Sequence, residues 1–210
     1  PSSGTLSLLK NSDATLTNTG VELQLAYDLI KNTNLTLTVR GNGSWNEARF
    51  DRIPFGRFTL SSDPTYISQD GGQPDEFYVY HTIGVNHNNG ELLFEDINGN
   101  PTENPTAADR RATGKTSTPV YQGGFGFDLD YKGFFVSSTF TFAAKVWRYD
   151  ADYENLYDPG NLGQFTVGSD LLNAWTPTNS NSDIPSITAA NLGASGSSDR
   201  WIKDASYVRL

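Results

Sequence analysis

Three groups of residues in this chain have the types and spacing to do chemistry. Asp128 and Asp130 stand two apart in "FGFDLDY". On an extended strand both carboxylates fall on one side, about 7 Å apart, as a general acid and base could. Nothing beside them supplies a nucleophile or a handle for a leaving group, so polar residues facing a lumen are the preferred account. "DINGNPTENPTAADR" opens like a calcium loop, with Asp96, Asn98 and Asn100 in the D-x-[DN]-x-[DN] pattern. Pro101 stands where a Gly would make the turn, the twelfth position is Ala107 rather than Glu, and Asp109 comes two residues late. An ordinary polar turn is the better reading. His81 and His87 are the only histidines. They flank a turn with no third ligand type beside them and read as surface residues rather than metal ligands. The serines lack a G-x-S-x-G context. The aromatic run "FYVY" could stack on sugars, but packing inside a loop is favoured. No catalytic residue, metal or cofactor is therefore assigned.

The elements that would position these residues are strands. In "NLTLTVRGNGSWN", Leu35, Leu37, Val39, Gly41, Gly43 and Trp45 share one phase, and Thr36, Thr38, Arg40, Asn42, Ser44 and Asn46 the other. "VELQLAYD" alternates likewise, and the short link "LIKNTN" makes the two a hairpin. "YQGGFGFDLDY" and "FFVSSTFTFAAKVW" form a second hairpin around Lys132-Gly133, a tight-turn signal. Phe134, Val136, Phe140, Phe142, Ala144 and Val146 share a phase there; Phe135 and Trp147 fall in the polar phase and blur it. "EFYVYHTIGV" and "ELLFED" read as a small hairpin inside a loop. A last strand, "RWIKDASYVRL", alternates Ile202, Val208 and Leu210 with Lys203, Tyr207 and Arg209.

Composition narrows the choices. The chain has 210 residues, 36% of them hydrophobic, with net charge −9, a pI near 4.6 and mean hydropathy −0.48. No apolar run reaches the roughly 18 residues of a membrane-spanning helix. The polar lumen of a β-barrel would dilute hydropathy to the same value. Without Cys there is no disulfide framework, no Cys-zinc site and no thiol nucleophile. Scattered Lys and Arg argue against nucleic acid as a partner. "PSSGTLSLLK" lacks the charged start and apolar core of a secretion signal. With no Met in the chain, we expect a processed protein or a piece of a longer one.

The connections are unequal. Two links are short; the others run about 47–119 and 148–200, far beyond ordinary loop lengths. Strands of ten residues span ~34 Å, or ~24 Å when tilted by about 45°, the height of an outer-membrane barrel's apolar band. Every short turn falls at one end and every long loop at the other. Tyr27 and Tyr131 fall at the turn end and Trp45 at the loop end, where interfacial aromatics belong. The reading is all-β: antiparallel strands of a large transmembrane barrel with long extracellular loops. Leu35, Leu37, Val39, Phe125, Phe127, Phe140 and Phe142 would contact lipid. Gln24, Thr38, Arg40, Asn42, Asp128 and Asp130 would face the lumen. A soluble sandwich explains the alternation equally well, but the long strands and loop asymmetry less well.

Four segments also resemble a known family in order along the chain. "NTGVELQL", "GGQPDEFYVYHTIGV", "FEDINGN…DRRATGKTSTPVYQGGF" and "SDRWIKDASYVRL" are similar to the barrel signatures of SusC/RagA-type TonB-dependent transporters. The resemblance implies that residues 1–210 are part of one C-terminal-half barrel domain, with 22 strands in the complete protein. The plug and TonB-contacting parts would lie outside this chain. It further implies import of oligosaccharides or peptides across the outer membrane, powered through TonB, beneath a SusD-like surface lipoprotein acting as a lid. A secreted carbohydrate-binding sandwich and a passive porin are the alternatives. Detergent dependence separates the first, and the presence of a plug the second.

Overall fold

The computed structural model describes residues 11–60 and 63–210. The opening decapeptide, read above for a leader, lies outside the described residues. In chain order the strands are β1 (Thr15–Lys31), β2 (Leu35–Asp51), β3 (Arg57–Leu60), β4 (Asp63–Gln69), β5 (Glu76–Val79), β6 (Thr82–Val85), β7 (Leu92–Glu95), β8 (Pro101–Thr102), β9 (Arg111–Thr116), β10 (Tyr121–Tyr131), β11 (Phe134–Ala144), β12 (Trp147–Tyr149), β13 (Ile202–Asp204) and β14 (Tyr207–Arg209). Two short helices, α1 (Ala151–Leu156) and α2 (Leu192–Ser195), lie between β12 and β13.

One antiparallel sheet of order β1-β2-β10-β11-β14 carries the long strands. Its two hairpins close as local chemistry dictates. Asn32 Oδ1 accepts from the N–H groups of Asn34 and Leu35 at 3.0 and 2.9 Å, an Asx-type turn. Lys132 and Gly133 both take positive φ, 48° and 88°, as a two-residue turn matched to strand twist demands. The register then stacks like on like. Leu25, Gly41, Phe125 and Phe140 are successive partners across four strands, and Tyr27, Val39 and Phe127 across three. On the opposite side Asp28, Thr38, Asp128 and Ser137 form one row, and Gln24, Asn42, Gly124 and Thr141 another. The strands approach closely where side chains are absent. A Cβ on Gly123 would collide with the Asn42 carbonyl oxygen.

This sheet contains little of the core. Leu25 is 64% exposed and Val208 65%, whereas Phe77, Leu92 and Phe94 in the loop segments are 1%, 0% and 0%. The two long connections fold together into their own packed assembly. Tyr80, Val85, Leu92 and Phe94 form one cluster, against which Trp175, Leu192 and Ala194 pack. Phe77, Val79 and Ile202 form a second, joined by Tyr66, Trp147 and Tyr149.

Several local expectations are corrected. β2 remains paired to Asp51, so the first connection begins later than residue 47, and Trp45 lies six residues inside the strand end. "EFYVYHTIGV" is two strands in different sheets. β5 pairs with β4 and β9, and β6 pairs with β7. The final strand is likewise split: β13 joins β12, and β14 joins β11. Asp204 accepts from Ser206 N at 2.8 Å and turns the chain between them. Lys145, at φ 52°, makes the matching break after β11. Val146 consequently leaves the apolar sheet face and is 7% exposed.

Candidate functional site

The polar face of the long sheet holds a network of hydrogen-bonded clusters side by side. Arg40 pairs with Asp128 and donates to Thr139 Oγ1 at 2.8 Å. Ser137 Oγ donates to Asp128 Oδ1 at 2.6 Å. Thr38 Oγ1 donates to Asp28 Oδ1 at 2.7 Å, and Lys31 pairs with the same carboxylate at 2.9 Å. Asn42 Oδ1 accepts from Gly124 N at 3.0 Å. Gln24 and Asn42 are register partners, and Asp130 partners Thr36. All six polar residues singled out from the sequence thus share one face. Asp128 is engaged by a cation and a hydroxyl, which suits a structural wall rather than an acid–base pair. The seven apolar residues singled out share the other face, with Phe125 and Phe140 stacked at 5.1 Å.

Above this network, toward the loops, the polar face opens into a cleft of about 880 Å³. Gln24, Asn42, Ser44, Gln122, Arg148 and Arg209 contribute to its walls. Amide and hydroxyl groups of this kind both donate and accept. Arg148, Arg209 and Glu22 add charges of both signs to these neutral groups, so the cleft can meet a polar chain with donors, acceptors and charge.

Polar contacts between segments about 100 residues apart hold the loop assembly together. Tyr80 N donates to Ser197 O and Asp199 N to Tyr80 O, both at 2.9 Å. Asp199 also accepts from Thr82 N at 2.9 Å and meets His81 Nδ1 at 2.5 Å. Glu95, paired with Arg111 at 3.2 Å, stands 3.7 Å from the other imidazole nitrogen. His81 is thus a joint between two loops, not a lone surface residue, and this was missed because Asp199 is 118 positions away. His87 Nδ1 contacts Ser180 O at 2.6 Å. Asn191 bridges Leu92 N, Leu92 O and Glu103 O at 3.1, 2.8 and 2.9 Å. Tyr149 Oη lies 2.6 Å from Glu154 Oε2 and 2.7 Å from Gly196 O, two acceptors that share its single proton; burial first, then the Glu154 carboxylate, pushes its phenol far above the usual range.

The calcium-like loop is closed by its own backbone. Asp96 Oδ1 accepts from Asn98 N and Asn100 N, each at 2.8 Å. The Asn100 amide is the largest of the influences that hold its carboxyl below the ordinary value. Among the described residues, no three His, Cys, Asp or Glu side chains converge to hold a metal. In "FYVY", Phe77, Val79 and Tyr80 are core residues, so packing is what that run does.

Asp109 clamps the same loop, accepting from Thr106 N and Oγ1 at 2.6 and 2.8 Å and from Ile97 N at 2.9 Å. Thr106, then Ile97, hold its carboxyl below the usual value. A depressed folded pKa stabilises fully above the unfolded value of about 3.9 and is lost as pH falls through the lower folded value. Amide-exchange protection at Ile97 and Thr106 should therefore be flat from neutral pH to about 5 and decline only below about 4. Asp109→Asn should lower protection and remove that step; a step surviving the substitution would assign it elsewhere.

No protein-family model matches the chain. It is 30% identical to the TonB-dependent receptor P3 of Formosa agariphila over 93% of its own length and 21% of the relative's. It superposes on the RagAB peptide transporter with a TM-score of 0.81, 25% identity, 93% of this chain and 22% of that one. The RagAB importer in its closed-closed state gives 0.82 and 25%, with the same coverage. The chain thus spans about a fifth of the length of the proteins it matches.

Proposed function

This chain is a barrel segment of the SusC/RagA-type TonB-dependent transporters of the outer membrane, and from that premise we propose that it forms wall and extracellular rim of an active importer of oligomeric nutrients. The sheet supplies wall: the apolar face meets lipid, and the Arg40–Asp128 face lines the lumen. The observation that carries this is the register, which keeps one face apolar and the other polar across successive strands. A sheet in lipid must leave no open edge, so these strands belong to a larger closed barrel. From Tyr121 to Tyr131 the register rises ten steps, ~34 Å along the strand. Tilted by about 45°, that is ~24 Å, the height of an apolar band bounded by Trp45 and Tyr121 outside and by Tyr131 inside; Tyr27, expected at the turn end, is the partner of Val39 and lies within the band.

The rim is the loop assembly, with the polar cleft beneath it. Substrates are peptides or oligosaccharides, whose repeating amides or hydroxyls suit the cleft. A SusD-like lipoprotein closes over the loops, and TonB acts through a plug carried elsewhere in the full-length protein. The test is uptake by cells producing the full-length transporter with residues 71–100 deleted. This removes β5, β6 and β7, and with them both loop cores. We expect barrel insertion to persist while lid co-purification and uptake fail. Unchanged uptake and lid capture would defeat the proposal.

A further inference from the structure

On the apolar side of the sheet the face is not flat. Gly41 and Gly43 lay a floor between Leu23 and Leu25 on one flank and Phe125 and Phe142 on the other, leaving a groove of about 660 Å³. The floor has room: a Cβ on Gly43 would meet only the Phe142 ring tip, at 4.0 Å. Trp45 and Tyr121, register partners, stand at the groove's loop-side mouth. Lys145 reaches that mouth, its ammonium 5.4 Å from the centroid of the Tyr121 ring. The left-handed backbone at Lys145 is the turn that ends β11 and sets the side chain there. Lys145 makes no ion pair among the described residues, whereas Glu47, two residues beyond Trp45, is already neutralised by Arg49 at 2.5 Å. The mouth therefore carries one uncompensated positive charge above an apolar trough.

We propose that this groove is a binding site for an anionic, phosphate-bearing lipid of the outer leaflet, with an acyl chain in the trough and the phosphate on Lys145. The assignment rests on the outward facing of the apolar side given above. Charge complementarity selects the occupant. An apolar groove alone would take any chain, but an ammonium at interfacial height favours a phosphate. The aromatic pair, amphipathic itself, marks that height.

The test uses the full-length transporter in phosphatidylcholine nanodiscs doped with lipid A or with dephosphorylated lipid A. Retained lipid is counted by native mass spectrometry. The wild type should retain the phosphorylated form about tenfold over the other, the size of one charge-assisted contact. Lys145→Gln should bring the two to parity, and Gly43→Leu, which fills the trough, should reduce retention of both. Equal retention in all three proteins would overturn the site, as would a cross-link between two copies through Gly43→Cys. A bimane on Leu129→Cys, on the same face outside the groove, reports facing independently. Quenching there by brominated acyl chains together with equal retention defeats the groove alone; absence of quenching defeats the facing on which it rests.

Discussion

Phe77→Ala should destabilise the loop assembly by about 3–5 kcal/mol while leaving the long sheet intact. Phe77 is 1% exposed, and its ring lies 5.1 Å from that of Tyr66. It also packs with Val79 and Ile202, which come from the two different long connections. Truncation removes apolar area and leaves a cavity that neighbouring strands cannot collapse into, because β5 is hydrogen-bonded on both sides, to β4 and β9. The sheet of long strands shares none of this core, so the losses should separate. Hydrogen exchange in the full-length transporter should rise across residues 76–116 and 147–204. The heat-dependent shift in gel mobility that reports a folded barrel should not change. Joint loss of both signals would show that rim and wall fold as one unit.

The separation also explains what could be read from the sequence. The long strands were legible because each meets one chemistry on one side and another on the other. Period-two alternation is the direct imprint of that, from Leu35 to Trp45 and from Tyr121 to Tyr131. The turns were legible because Asn32 and Lys132-Gly133 carry local rules. The loop assembly was not, because its partners are remote: Asn191 reaches Leu92, and Asp199 reaches His81. No local pattern announces such contacts. The two misread strands share a cause. "EFYVYHTIGV" and "IKDASYVRL" keep strand-like composition straight through the points where the chain changes sheets, at Tyr80–His81 and Ala205–Ser206. The switch is made by hydrogen bonds, from Tyr80 N to Ser197 O and from Ala205 N to Val146 O. Val146 was misplaced for the same reason: the left-handed turn at Lys145 is a backbone event that side-chain periodicity does not record.

The wall makes its own demand, and it is largest midway between the aromatic levels. Val39 lies there, partnered by Tyr27 and Phe127. Val39→Arg should destabilise the inserted full-length barrel by about 2–4 kcal/mol, the midplane cost of a cation on a lipid-facing strand. Gln24→Arg is the matched control. Gln24 sits on the other face, beside Asn42 and in the wall of the polar cleft. A guanidinium there keeps water and finds acceptors, so the cost should stay below about 1 kcal/mol. Equilibrium unfolding in lipid vesicles gives both values. The difference between them measures the two environments directly, because the charge, the side-chain length and the sheet are the same. A soluble sandwich with the apolar face in its core would also reject arginine at Val39, but it would unfold cooperatively in water without vesicles. Equal costs at the two positions would mean that both faces meet the same solvent, and neither lipid nor lumen could then be assigned to this sheet.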